Sequence, residues 1–147
     1  MVILQCNKAY YLKEKGNFLS AIKSYEEAWV RFKSEELTDY DISEFCLKPL
    51  GNSYIKTNNY SNAERIIKLY ISRAEKKGNL EQKAAGIINL CLLYQTIGEH
   101  ETVIKILEDT IELYNINEVQ KAKIEAIKSK SLIFSKNIDN RIKSDYS

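Results

Sequence analysis

A stripe of apolar residues that returns at almost constant intervals constrains this chain more than any other feature. In "GNFLSAIKSYEEAWVRF", Phe18, Ala21, Ile22, Tyr25, Ala28, Trp29 and Phe32 recur at steps of three and four, which is one face of an α-helix. The pattern returns in "NNYSNAERIIKLYISRA" as Tyr60, Ala63, Ile66, Ile67, Tyr70, Ile71 and Ala74. It returns again in "GEHETVIKILEDTIELY" as Val103, Ile104, Leu107, Ile111 and Tyr114. The intervals from Ala21 to Ala63 and from Ala63 to Val103 are 42 and 40 residues. A repeat of this period is a supersecondary unit that cannot bury its apolar face alone and is stable by stacking.

Each of these helices is preceded, across a short polar turn, by another, predicted over residues 2–15, 41–57 and 80–97. The turns are "KGN", "TNN" and "IGE". Gly16 and Gly98 can take the left-handed backbone conformation that ends a helix, and Asn58 or Asn59 adopts it almost as readily. Gly78 ends a further helix in the same way, with Asn79 as the N-cap of the next. Leu47, Leu50, Gly51 and Tyr54 share a face, where Gly51 is expected to let Ala63 come close. Five glycines and one proline in 147 residues are too few for a turn-rich β protein. The expectation is an all-α chain of seven helices, three antiparallel pairs and a terminal one.

These residues resemble the tetratricopeptide repeat, a helix-turn-helix unit with a W-x2-L-G-x2-Y, A-x3-F, P signature. The best match is Leu47, Leu50, Gly51 and Tyr54 followed by Tyr60, Ala63 and Ile67. In the third unit Ile87, Leu90, Cys91 and Tyr94 fill the first-helix places, and Gly98, Val103 and Leu107 come after them. The first unit matches in Gly16, Phe18, Ala21, Tyr25 and Ala28, while Gln5 and Lys8 stand where large apolar residues belong. The intervals exceed the family's usual length of about 34, Tyr70 and Thr110 stand where the pattern has alanine, and no unit ends in proline. The resemblance implies a right-handed α-solenoid, with repeats at 1–38, 39–78 and 79–115, a capping helix at 116–138 and a tail at 139–147. Ile124, Ile127, Phe134 and Ile138 would turn the capping helix toward the last unit, with its lysines outward.

Nothing in the sequence points to a reaction. His100 is the only histidine and is expected to pack at a turn in place of an aromatic residue. No Cys or His stands at metal-ligand spacing around it, and there is no phosphate loop, G-x-S-x-G or C-x2-C. No catalytic residue, metal or cofactor is therefore expected. Cys6, Cys46 and Cys91 read as buried thiols rather than a disulfide framework. Residues 1–116 carry 15 Lys/Arg against 16 Asp/Glu, and residues 117–147 carry 7 against 4. That charge is too thinly spread for a nucleic-acid surface. The absence of a long apolar run argues against a membrane span, and a cytoplasmic location is expected.

In the family that the chain resembles, the first helix of each pair lines a concave groove. On a wheel of about 100° per residue, the buried side of the second first-helix leaves Lys48, Asn52, Ile55 and Lys56 toward that groove. The third unit adds Ile88, Leu92 and Gln95, with Ile88 and Leu92 expected to be exposed, and the first adds Cys6 and Tyr10. Lys48, Asn52 and Asn89 resemble part of the carboxylate clamp by which some family members hold acidic C-termini. The expected function is a non-catalytic scaffold that binds a peptide segment of a protein partner, one carrying an acidic group, with neither nucleic acid nor membrane as its target. One alternative is an interaction module of a longer chain, since "KPLGNSY" resembles repeat arrays that precede caspase-like peptidase modules. The uncapped "MVIL" start makes self-association into a homo-oligomer another.

Overall fold

The computed structural model describes residues 1–35, 39–110 and 117–145, with side chains in the last stretch given to Asn137 and at Arg141. Among the described residues there are seven α-helices and no strand. They are α1 (Val2–Glu14), α2 (Phe18–Glu35), α3 (Lys48–Lys56), α4 (Tyr60–Lys77), α5 (Leu80–Thr96), α6 (His100–Asp109) and α7 (Glu118–Asp145), with a π-helical turn at Ser43–Leu47 running into α3. The chain divides into two compact units, Met1–Gly78 and Asn79–Ser147.

The turns form as their residues dictate. Gly16, Asn58 and Gly98 have φ of 80°, 59° and 84°, and each lets the chain reverse within three residues. Asn79 caps α5 by accepting from the Gln82 N–H at 3.0 Å. The stripe on α2 is buried at Ala21, Tyr25, Ala28, Trp29 and Phe32, and in the first unit it packs on α1, on α3 and on the π turn.

Residues 41–57 depart from the expected single α-helix. Pro49 has no N–H to give, and its ring disfavours a regular helix upstream. The chain answers with a wider turn, in which the Lys48 N–H reaches the Ser43 carbonyl, and Pro49 then sits in the first turn of α3 where no donor is needed. Downstream of it Leu50, Gly51 and Tyr54 are buried as expected. Gly51 meets a different neighbour from the one expected. A Cβ placed there would lie 3.2 Å from Ile67 Cγ1 and 3.6 Å from Ile66 Cγ2, so the glycine makes room for two branched side chains of α4 and not for Ala63. Tyr54 donates to Glu26, which also receives Arg65 at 3.0 Å; one carboxylate thereby joins α2, α3 and α4.

In the second unit α5 and α6 pack together and α7 packs on both. Leu93, Val103, Leu107, Ile124 and Ile127 are buried. The expected stripe residues Ile111 and Tyr114 lie outside the described residues, as does the side chain of Ile138. Helix α7 continues to Asp145, past the expected end of the capping helix at 138.

Candidate functional site

In the first unit, α1 on one side and the π turn with α3 on the other enclose a cavity of about 250 Å³. Tyr10 and Lys13 come from α1, Phe45 and Glu44 from the π turn, Lys48, Pro49 and Asn52 from α3, and Tyr40 from the segment before it; Cys6 and Asn7 complete the wall. A second cavity of about 370 Å³ shares Lys13 and Asn52 and adds Phe18, Ile55 and Lys56. The two make a trough along the α1–α3 face. Lys48, Asn52 and Lys56, expected from the wheel to face outward together, all line it.

The trough has an aromatic lip. Phe45 and Tyr10 are more than half exposed, and the Tyr40 ring stacks on Phe45 with centroids 5.5 Å apart. A stacked aromatic pair that shares its cavity with an exposed tyrosine and two amides suits an apolar side chain on an extended backbone. Its charge is already balanced in part. Lys48 Nζ lies 3.1 Å from Glu44 Oε1, and the other Glu44 oxygen accepts from the Tyr70 hydroxyl at 3.4 Å. Lys48 is therefore not the uncompensated cation that a carboxylate clamp needs; Lys13 is likewise 3.6 Å from Glu14 Oε1, and Lys56 lines the second cavity. Glu44 was legible as the i−4 partner of Lys48, and Phe45 as an i−7 neighbour of Asn52 on the same side. Tyr40 and Lys13 had no such signal, because tertiary packing brings them there.

The groove residues expected from the second unit fare differently. Leu92 is 43% exposed but Ile88 only 5%. The expected exposed pair is thus reduced to one residue. The physical reason is that α5 carries Ala84, Ile87, Ile88, Leu90, Cys91 and Leu93 on nearly all its sides, and a helix apolar all round is buried. Asn89 is half-buried. Gln95 is engaged by α7: its Nε2 donates to the Ile127 carbonyl at 2.8 Å and to Ser131 Oγ at 2.9 Å. Ser131 Oγ is in turn 3.2 Å from His100 Nδ1, and the His100 ring stacks on Phe134 at 4.6 Å with planes 2° apart. His100 thus packs as an aromatic residue whose Nδ1 is hydrogen-bonded to a hydroxyl.

Among the described residues no cluster of three or more His, Cys, Asp or Glu could hold a metal ion. No helix among them is long and apolar enough to cross a membrane. Comparison with protein-family models and with curated proteins gives no match.

Proposed function

We propose that this chain is a non-catalytic interaction module, an α-solenoid of the tetratricopeptide type, that holds a segment of a protein partner in the trough of its first unit. The observation that carries the reading is that Lys48, Asn52 and Lys56 line two adjoining cavities together with Tyr10 and Phe45. Apolar contact with the aromatic lip supplies most of the affinity, and the lysines favour an acidic group and set its orientation. Of the groove residues expected in the second unit, Leu92 and Asn89 remain available to a partner in this proposal, since Gln95 is committed to α7. The three free cysteines suit a reducing, cytoplasmic compartment.

The test is a peptide selection against the whole chain, followed by titration of the selected peptides against Phe45→Ala and Asn52→Arg. Each substitution should weaken binding by about tenfold, the loss expected when a central contact of about 1.4 kcal/mol is removed. Peptides that bind both variants as tightly as the parent would place the site elsewhere.

A second reading has its own observation. Met1, Ile3, Leu4 and Tyr11 at α1 are all exposed, and such a patch on one helix fits a second copy of this chain. Sedimentation of the parent and of Leu4→Lys separates the two readings, because only self-association predicts a loss of mass in the variant.

A further inference from the structure

Two thiols meet under the wall of the first cavity. Cys6 on α1 and Cys46 in the π turn are free, 2% and 0% exposed, and hydrogen-bonded to each other through their side chains. Cys6 is also hydrogen-bonded to Tyr40, and it is Cys6 that lines the cavity. A small solute entering the cavity therefore meets Cys6, whereas Cys46 is wholly buried. The Cys46 S–H has a second acceptor in the Tyr25 carbonyl at 3.2 Å.

The chemistry of the two sulfurs is unequal. Hydrogen bonding from Cys46, helped by Tyr40 and opposed by burial, brings the Cys6 thiol down to about 7. The same bond and deeper burial push Cys46 up. Cys6, which lines the cavity, is thus the sulfur that gives up its proton more readily and Cys46 the one that keeps it, which is the division of labour between an attacking and a resolving cysteine. The Tyr25 hydroxyl, on a wholly buried residue within electrostatic reach of both sulfurs, has no hydrogen-bond partner among the described residues. It is a donor that the reduced pair leaves unused. At Cys91 burial alone acts, and it pushes the thiol up to about 12.

We propose that Cys6 and Cys46 form a peroxide-reactive dithiol at the wall of the trough, with Cys6 as the attacking thiolate and Cys46 as the resolving thiol. The Cys6 sulfur attacks one oxygen of hydrogen peroxide; an S–O bond forms, the O–O bond breaks, and the departing hydroxide takes up a proton to become water. Cys6 is then a sulfenic acid. The Cys46 sulfur gives up its proton and attacks the Cys6 sulfur; the S–S bond forms, the S–O bond breaks, and the leaving hydroxide carries that proton away as a second water. Two thiols are oxidised to one disulfide while one peroxide is reduced to two waters. The disulfide ties α1 to the π turn that carries Phe45 and Glu44, so oxidation acts on the trough wall whether or not a peptide is its occupant.

The experiment treats the whole chain with hydrogen peroxide, blocks remaining thiols by alkylation at timed intervals, and maps the peptides by mass spectrometry without reduction. A cross-linked peptide pair containing Cys6 and Cys46, lighter by two hydrogen atoms and reversed by dithiothreitol, should appear at least about tenfold faster than any change at Cys91. In Cys46→Ser, Cys6 should persist as a sulfenic acid that dimedone traps. Over-oxidation of Cys6 without the cross-link, first attack at Cys91, or three unchanged thiols would each overturn the proposal. The parent's cross-link map decides the matter even where Cys46→Ser fails to fold.

Discussion

The two units take the same helix-pair pattern and finish it differently. In the first, Lys48, Asn52 and Ile55 border open cavities. In the second, the corresponding Ile88 is buried, Leu92 is exposed and Gln95 is bonded to α7. The difference begins at single residues. Gly51 lets Ile66 and Ile67 of α4 close on α3, whereas its counterpart Cys91 keeps a buried side chain on α5. The second unit instead recruits α7, which seats Ile124, Ile127 and Ser131 and stacks Phe134 on His100. A repeat pattern therefore specifies the helices, and in the second unit the segment that follows the pair decides which of its polar side chains are engaged.

Substitutions that undo one unit's solution should leave the other's signature intact. The largest effect belongs to Ile124→Ala, which removes a side chain that is 1% exposed and should cost about 2–5 kcal/mol. Hydrogen exchange should then accelerate along α7 before it does along α2. Gly51→Leu forces a side chain into space where even a Cβ is 3.2 Å from Ile67, and overpacking of this kind costs about 1–3 kcal/mol; denaturant titration reads it. Gln95→Ala breaks both of its bonds to α7 and removes a donor to the buried Ser131, a loss of about 1–3 kcal/mol.

A pH titration sharpens the same comparison through Cys91. Burial raises its pKa from 9.0 to about 12, so between those values the unfolded chain has lost a proton that the folded chain keeps. Its contribution to stability is fully present below pH 9 and is lost as the pH rises toward 12. Cys91→Ala should flatten that part of the alkaline stability curve. The smallest effect is expected of Lys48→Ala. Its ion pair with Glu44 is about a third exposed at both ends, and screened pairs of that kind contribute about 0–1 kcal/mol.

Much of the fold was legible in the sequence because it depends on neighbours in the chain. Gly16, Asn58 and Gly98 announce the reversals, and the steps of three and four announce α2, α4 and α6. Ile124 and Ile127 announce the buried side of α7. The features that escaped depend on contacts between distant segments. Pro49 signals an irregularity but not that a π turn absorbs it. Gly51 signals close packing but not that Ile67, rather than Ala63, fills the space. Ser131 and Gln95 look like surface residues until α7 is laid on α5, and Ile88 reads as a groove residue because a wheel with one buried side cannot describe a helix that is buried on several. Cys6 and Cys46, on different helical segments, give no sign in the sequence that they are partners.

In the proposed function the first unit offers an open trough to a peptide, while the second has engaged Gln95 of the corresponding face with its own helix. Amide and side-chain chemical shifts, followed as a selected peptide is added to the whole chain, test that contrast most directly. Shifts concentrated at Asn7, Tyr10, Phe45 and Asn52, with Gln95, His100 and Ser131 unmoved, are the predicted result. Shifts centred on Gln95, His100 and Ser131, with α7 losing its protection from exchange, would contradict it, because the peptide would then be displacing α7 and the trough would be a bystander.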